Sequence, residues 1–227
     1  MYILHIETST IICSVALSKG SAMLEYLDIE EGMNHAALLA PAIERLLQSA
    51  SIRPADLDAI AVCSGPGSYT GLRVGSSTAK AMAYSLGKPL IAIPTLQALA
   101  QAAFNLYPEA PFALPMLDAR RREVYTAIYD RTYYEVQPVS SAILDEGFFK
   151  YALPDSGSII SCGDGSLKIG DLADLALHLK VDTTIVCSAR HMIALSVERY
   201  LKGNFENPLH FVPYYLKPPN ITAPKKV

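Results

Sequence analysis

The chain has 227 residues, 51% of them apolar, with 19 Lys and Arg against 22 Asp and Glu and a formal net charge of −3. That length suits one large domain or two small ones. It holds no run of 18 apolar residues, which excludes a membrane-spanning helix, and its slight acidity argues against unaided electrostatic binding of nucleic acid.

Met1-Tyr2-Ile3-Leu4-His5 carries no basic leader and no cleavage signal, so secretion is not expected. Met1 to Glu7 alternates like a strand, Ile11 to Leu17 is a second, and Ala22 to Ile29 a third beyond the Lys19-Gly20-Ser21 turn. Between the first two strands lies Glu7-Thr8-Ser9-Thr10. A carboxylate and hydroxyls at such a bend suit either a metal-bound phosphate or plain turn capping. Asn34 opens a helix to Ala50, with Leu38, Leu39, Ala42, Ile43, Leu46 and Leu47 on one face and a bend expected at Pro41.

Ala59 to Cys63 reads as a buried strand, followed by the loop Ser64-Gly65-Pro66-Gly67-Ser68-Tyr69-Thr70 and a helix from Leu72 to Leu86. Neither phosphate-loop pattern fits. The Gly-Lys-Ser/Thr ending is absent, and Gly65, Gly67 and Gly71 are spaced one residue too long for G-x-G-x-x-G. A tight structural turn and an anion or partner site both remain open. Gly71, Gly75, Ala79 and Ala83 recur every fourth residue and form a flat helix face. Such a face suits close packing, against this chain's own sheet or against another helix.

Pro89 to Ile93 is the next strand, and Thr95 caps a helix to Leu106. Tyr107-Pro108-Glu109-Ala110-Pro111 marks a lobe boundary, giving lobes 1–107 and 108–227. The pattern then restarts, with strands at Ala113–Leu117, Glu123–Tyr129, Tyr133–Val136 and Val181–Cys187 and helices at Asp171–Leu179 and Ala189–Lys202. The outline suggests a duplication. Arg120-Arg121-Arg122 suit a phosphate grip or a solvated turn equally. Gly163-Asp164-Gly165 follows a strand and fits a nucleotide-facing turn or a plain one. Pro208 to Val227 reads as a surface strap with a frayed end.

Five histidines show no metal-binding spacing, and no G-x-S-x-G elbow is present. Cys13, Cys63, Cys162 and Cys187 are dispersed, as buried thiols of a reducing cytosol would be. Glu7, Asp118 and Asp164 are the acid–base candidates by position.

Ile3-Leu4-His5-Ile6-Glu7-Thr8-Ser9-Thr10, Asn34-His35, the stretch Gly65 to Gly75, Leu117-Asp118-Ala119-Arg120-Arg121 and Pro213-Tyr214-Tyr215-Leu216-Lys217 together resemble the TsaB (YeaZ) branch of the family that makes threonylcarbamoyladenosine on tRNA. The resemblance implies an α/β actin-like, Hsp70-like ATPase fold of two ribonuclease-H-like lobes. It implies a cytoplasmic, non-catalytic partner of the metal-holding TsaD subunit, joined by the P-loop ATPase TsaE and meeting tRNA through the complex. It leaves a stand-alone ATPase or peptidase as the alternative. No intrinsic cofactor is implied. ATP or ADP at the complex interface is allowed for; within the chain, Glu7, Thr8, Ser9, Gly163, Asp164 and Gly165 are the candidates for cofactor contact. Many members carry aspartate where this chain has Glu7, whose extra methylene would crowd a metal–phosphate. The family's interface, for homodimer or heterodimer, maps onto Leu38, Leu39, Ala42, Gly71, Arg73, Val74, Gly75, Thr78, Ala79, Met82 and Ala83. On that basis Gly75→Leu is expected to break pairing and leave the monomer folded.

Overall fold

Alternation along the first strand already assigns its neighbours: Leu4 and Ile6 enter one apolar core, while Ile3 enters another on the opposite face. The computed structural model describes residues 1–32, 34–145, 147–148, 157–170 and 178–218. Strands β1 (Tyr2–Glu7), β2 (Cys13–Lys19), β3 (Ala22–Ile29), β4 (Ala59–Cys63) and β5 (Leu90–Ile93) form one sheet in the order β3-β2-β1-β4-β5. Strands β6 (Phe112–Asp118), β7 (Glu123–Asp130), β8 (Glu135–Ile143), β9 (Ile159–Cys162) and β10 (Leu179–Asp182) form the other in the order β10-β9-β6-β7-β8. In each sheet the first three strands are an antiparallel meander and the last two join in parallel. The duplication is therefore one of topology: two ribonuclease-H-like lobes in an actin-like ATPase arrangement.

Helices α1 (His35–Ser49) and α2 (Tyr69–Leu86) cover one face of the first sheet, through Leu39, Ile43 and Leu46 of α1 and Leu72, Ala79 and Ala83 of α2. Helix α3 (Thr95–Leu106) lies between the lobes, with Ala98 in the core of the first and Leu96, Leu99 and Ala103 in that of the second. Pro41 is accommodated inside α1 on its exposed side, and Asn34 stands at the N-cap without a capping side-chain bond. Thr95 is likewise inside its helix, and Pro94 holds the cap position.

The chain then returns. The 3-10 turn Ala189–Met192 and helix α4 (Ile193–Leu201) pack Ala189, Met192 and Leu195 against Ile3, Ala16 and Ala61 of the first sheet. Asp28 Oδ1 accepts from both Ser14 Oγ (2.5 Å) and Ser188 Oγ (2.8 Å), and Ala189 N–H donates to Ser14 Oγ (2.8 Å). A division at 107 thus separates the two sheets, but the stretch from 189 belongs to the first body. The expected strand over 181–187 ends instead at Asp182, because its carboxylate accepts from Thr184 N–H (2.9 Å) and Oγ1–H (2.6 Å) and turns the chain. The helix expected over 171–179 falls on 171–177, outside the described residues, and Leu179 is in β10. No helix of the described residues is long and apolar enough to cross a membrane.

Candidate functional site

Glycine spacing decides which way α2 faces. A Cβ on Gly71 would lie 2.0 Å from the Thr8 carbonyl oxygen, and one on Gly75 would lie 2.2 Å from Thr8 Oγ1. Real side chains cannot approach so closely, so the flat face of α2 is pressed onto the end of β1. Ala79 and Ala83 continue the same contact into the core, where both are buried. Six of the residues expected at a partner interface are therefore interior: Gly71, Gly75, Ala79 and Ala83 on α2, and Leu39 and Ala42 on α1. Of the two packing alternatives, this chain's own sheet takes the face.

The bend Glu7–Thr10 is sealed by the same contact. Glu7, Thr8 and Ser9 are 1%, 0% and 2% exposed. Thr8 Oγ1 donates to the Gly71 carbonyl (2.9 Å), Ser68 N–H donates to the Ser9 carbonyl (2.7 Å), and His35 Nε2 bonds the Thr10 carbonyl (2.8 Å). A Cβ on Gly67 would fall 2.6 Å from Ser9 Cβ, so the loop also lies directly on the bend. The Glu7 carboxylate curls onto Ser9 N–H (2.7 Å) rather than outward. Burial raises its pKa, against the lowering effect of hydrogen bonds from Ser9, Cys63 and Thr8. Nothing here is left to hold a metal–phosphate, so these residues do not fit that use.

Gly163, Asp164 and Gly165 follow β9, the second lobe's counterpart of β4, and press on the end of β6. Gly163 has φ +90, and its Cβ would meet the Met116 carbonyl at 2.2 Å; one on Gly165 would meet Leu117 at 2.7 Å. Asp164 Oδ1 accepts from Asp118 N–H (3.0 Å), and burial raises its pKa. Ser9 Oγ donates to Cys187 Sγ (3.8 Å), a thiol pushed well up first by burial and then by the Glu7 and Asp164 carboxylates. The structure thus brings the two expected groups to facing ends of the lobes with Cys187 between them. Burial likewise pushes Cys63 far up, which opposes thiolate formation at both positions. Among the described residues no group of three His, Cys, Asp or Glu is placed to hold a metal ion.

The role of the tail was not legible from its prolines alone. Tyr214 N–H donates to the Ser64 carbonyl (2.7 Å), and Gly65, at φ +94, leaves room for the Tyr214 carbonyl 2.6 Å from where a Cβ would sit. Phe211 enters the first core, Lys80 Nζ donates to its carbonyl (2.8 Å), and the Tyr215 ring lies 4.8 Å from that of Tyr69. Lys217 pairs with Glu123 of the second lobe. A cleft of about 390 Å³ remains between α2 and the tail, lined by Arg73, Ser77, Lys80 and Val212 among others.

What α1 and α2 present outward is a second surface. Arg73 is exposed, and Leu38, Val74, Thr78 and Met82 are half-buried; these five expected interface residues do reach the surface. Beside them Ala36, Ala37, Ala40 and Pro41 of α1, and Ser77, Ala81 and Tyr84 of α2, are exposed. The patch is made mostly of small and apolar residues, with Arg73 as its charged member.

The family model for TsaD, tRNA N6-adenosine threonylcarbamoyltransferase, matches residues 30–156, and relatives from several bacteria carry the TsaB name. The chain belongs to the TsaB branch of this family. It is 38% identical over 130 residues to the tRNA threonylcarbamoyladenosine biosynthesis protein TsaB of Bacillus subtilis, covering 57% of this chain and 55% of that one. It is 28% identical to the TsaB of Escherichia coli over 231 residues, covering 100% of this chain and 98% of the other. The solved YeaZ from Pseudomonas aeruginosa superposes with a TM-score of 0.77 at 27% identity, covering 95% of this chain and 99% of that chain.

Proposed function

We propose that this chain is a non-catalytic subunit of tRNA threonylcarbamoyladenosine synthesis. It pairs with a TsaD-type catalytic subunit and activates transfer of the threonylcarbamoyl group to N6 of the adenosine next to the anticodon in ANN-reading tRNAs. The reading takes its chemistry from the names of the relatives. One structural observation carries it: the bend that would cradle a nucleotide phosphate is filled by the chain's own glycine helix, while the opposite side of that helix offers an apolar surface with α1. A TsaE-type P-loop ATPase and tRNA would join through the TsaD-type subunit, in the cytoplasm. A second copy of this chain would compete for the same surface, and any ATP or ADP would sit at the subunit interface rather than inside this chain.

Light scattering after size exclusion tests it, on the chain alone and mixed with its cognate TsaD-type subunit. The wild type forms a stable mixed species. Ala37→Arg together with Ala81→Arg elutes separately while keeping the wild-type melting temperature, since both side chains are exposed. Magnesium-dependent ATP turnover or tRNA modification by the purified chain alone would overturn the reading in favour of a stand-alone enzyme.

A further inference from the structure

We propose that the bend Ala119–Arg122 of the second lobe is a docking site for the phosphate backbone of RNA. The proposal rests on the tRNA reading above and names the part of this chain that touches the substrate. Arg120, Arg121 and Arg122 are all exposed, and among the described residues their guanidinium groups have no ion pair and no hydrogen bond. The acids beside them are already matched. Asp118 pairs with Lys168 Nζ (2.6 Å), and Glu123 pairs with Lys217 and accepts from Ser141 Oγ (2.5 Å). Three cations are therefore left over at one point of a chain whose net charge is −3.

The bend is held by its backbone. Arg120 N–H donates to Asp118 Oδ1 (2.5 Å), Glu123 N–H to the Arg120 carbonyl (3.1 Å), and Ala119 N–H to the Glu123 carbonyl (3.0 Å). Arg120 and Arg121 adopt φ +71 and +51, a region that long side chains seldom occupy. A solvated turn would accept glycine or asparagine there more easily. Guanidinium forks suit phosphate oxygens, which they engage in pairs of hydrogen bonds. Protein–protein hot spots set arginine among aromatic anchors, and residues 118–123 contain no aromatic side chain.

The test titrates an unmodified tRNA, followed by fluorescence anisotropy, with the full chain alone and with its assembled complex, from about 50 to 200 mM salt. Wild type is compared with R120Q/R121Q/R122Q and with R120K/R121K/R122K. The glutamine variant loses about 2–3 units of the salt slope and on the order of thirty-fold in affinity at the low-salt end, as three phosphate contacts require. The lysine variant keeps the slope. Circular dichroism melting shows both variants folded. An unchanged slope overturns the proposal. So does loss of tripolyphosphate or poly-glutamate binding with tRNA binding intact, the marks of a small-anion or acidic-protein site. Light scattering on the same samples judges pairing separately: a chain that fails to assemble sinks the subunit reading, and the titration of the chain alone still decides for or against the bend.

Discussion

In the first lobe the bend after β1 is buried and covered by α2 and the glycine loop. In the second lobe the bend after β6 stands in solvent, with three arginines that have no ion pair among the described residues. Both follow the first strand of a sheet with the same strand order, and in both a glycine-bearing segment after the fourth strand presses on the end of the first: Gly71 and Gly75 of α2 on Thr8, Gly163 and Gly165 on Met116 and Leu117. Close backbone approach is thus common to the two lobes. What differs is what meets the bend. The 18-residue helix after β4 lies on the first bend through its glycines, whereas the 3-10 turn Asp164–Lys168 after β9 touches only the flanks of the second, Lys168 Nζ donating to Asp118 Oδ1 (2.6 Å) and to the Glu123 carbonyl (2.8 Å), and Arg120 to Arg122 stay exposed. A shared topology leaves the use of each bend to whatever is laid over it.

The largest way to break this contrast is Gly71→Ala. Its methyl would meet backbone, so the helix or the bend must shift, and a loss of about 3 kcal/mol or more is expected in urea unfolding. Gly75→Leu would also unfold the chain rather than leave a folded monomer, because the face it was expected to open to a partner is interior. Phe211→Ala would remove the tail's anchor, costing about 3 kcal/mol in the same assay. Gly165→Ala probes the second lobe. Its methyl would meet Leu117 at 2.7 Å, a looser clash than at Gly71, and about 2 kcal/mol is expected.

Glu7→Gln sharpens the comparison by pH. Because the folded-state pKa of Glu7 is raised by burial above 4.5, the folded protein holds the proton more tightly, and the wild type loses stability as pH rises above that value. Glutamine keeps the acceptor for Ser9 N–H without the charge. The variant should match wild type below pH 4.5 and exceed it increasingly toward neutrality, and coincident curves across that range would refute the assignment. His5 acts oppositely. Burial lowers its pKa from 6.5 to about 3, so its contribution is complete above pH 6.5 and is lost as pH falls toward 3. Ser196 Oγ donates to the carbonyls of Met192 (2.8 Å) and Ile193 (3.0 Å), which leaves His5 Nδ1–H to donate to that hydroxyl and Ser18 Oγ–H to donate to Nε2. The smallest effect is expected at Arg121→Gly, a gain of a few tenths to about 1 kcal/mol from relieving φ +51.

Much of this was legible before any coordinates. Alternation and apolar runs located β1, β3, β4 and β6, and α3 ends at Leu106 as expected, although Thr95 is its first residue rather than its cap. Misreadings arose where a polar side chain competes with the ladder. Asp182 ends β10 early, and Asp130, accepting from Thr132 N–H (2.8 Å) and Tyr134 N–H (3.1 Å), delays β8 to Glu135. Spacing showed that Gly71, Gly75, Ala79 and Ala83 share a face but could not show what lies against it. A flat stripe is equally suited to Thr8 and to a foreign helix, and only the distance to Thr8 distinguishes them. The prolines mark the tail as a strap but not where it docks, because its bond to Ser64 and its close approach to Gly65 are made through the backbone, which leaves little trace in residue type.

The position of Phe211 also bears on the order in which the molecule is made. Its ring completes a core whose other members lie between Leu4 and Ala92, so that core remains open until the chain has passed through the second sheet and come back. During synthesis the first sheet would wait, with part of its apolar surface uncovered, for a residue made only after the second sheet. Closure of the first lobe is thus a late event joining distant parts of the chain, and long-range closure of this kind slows folding.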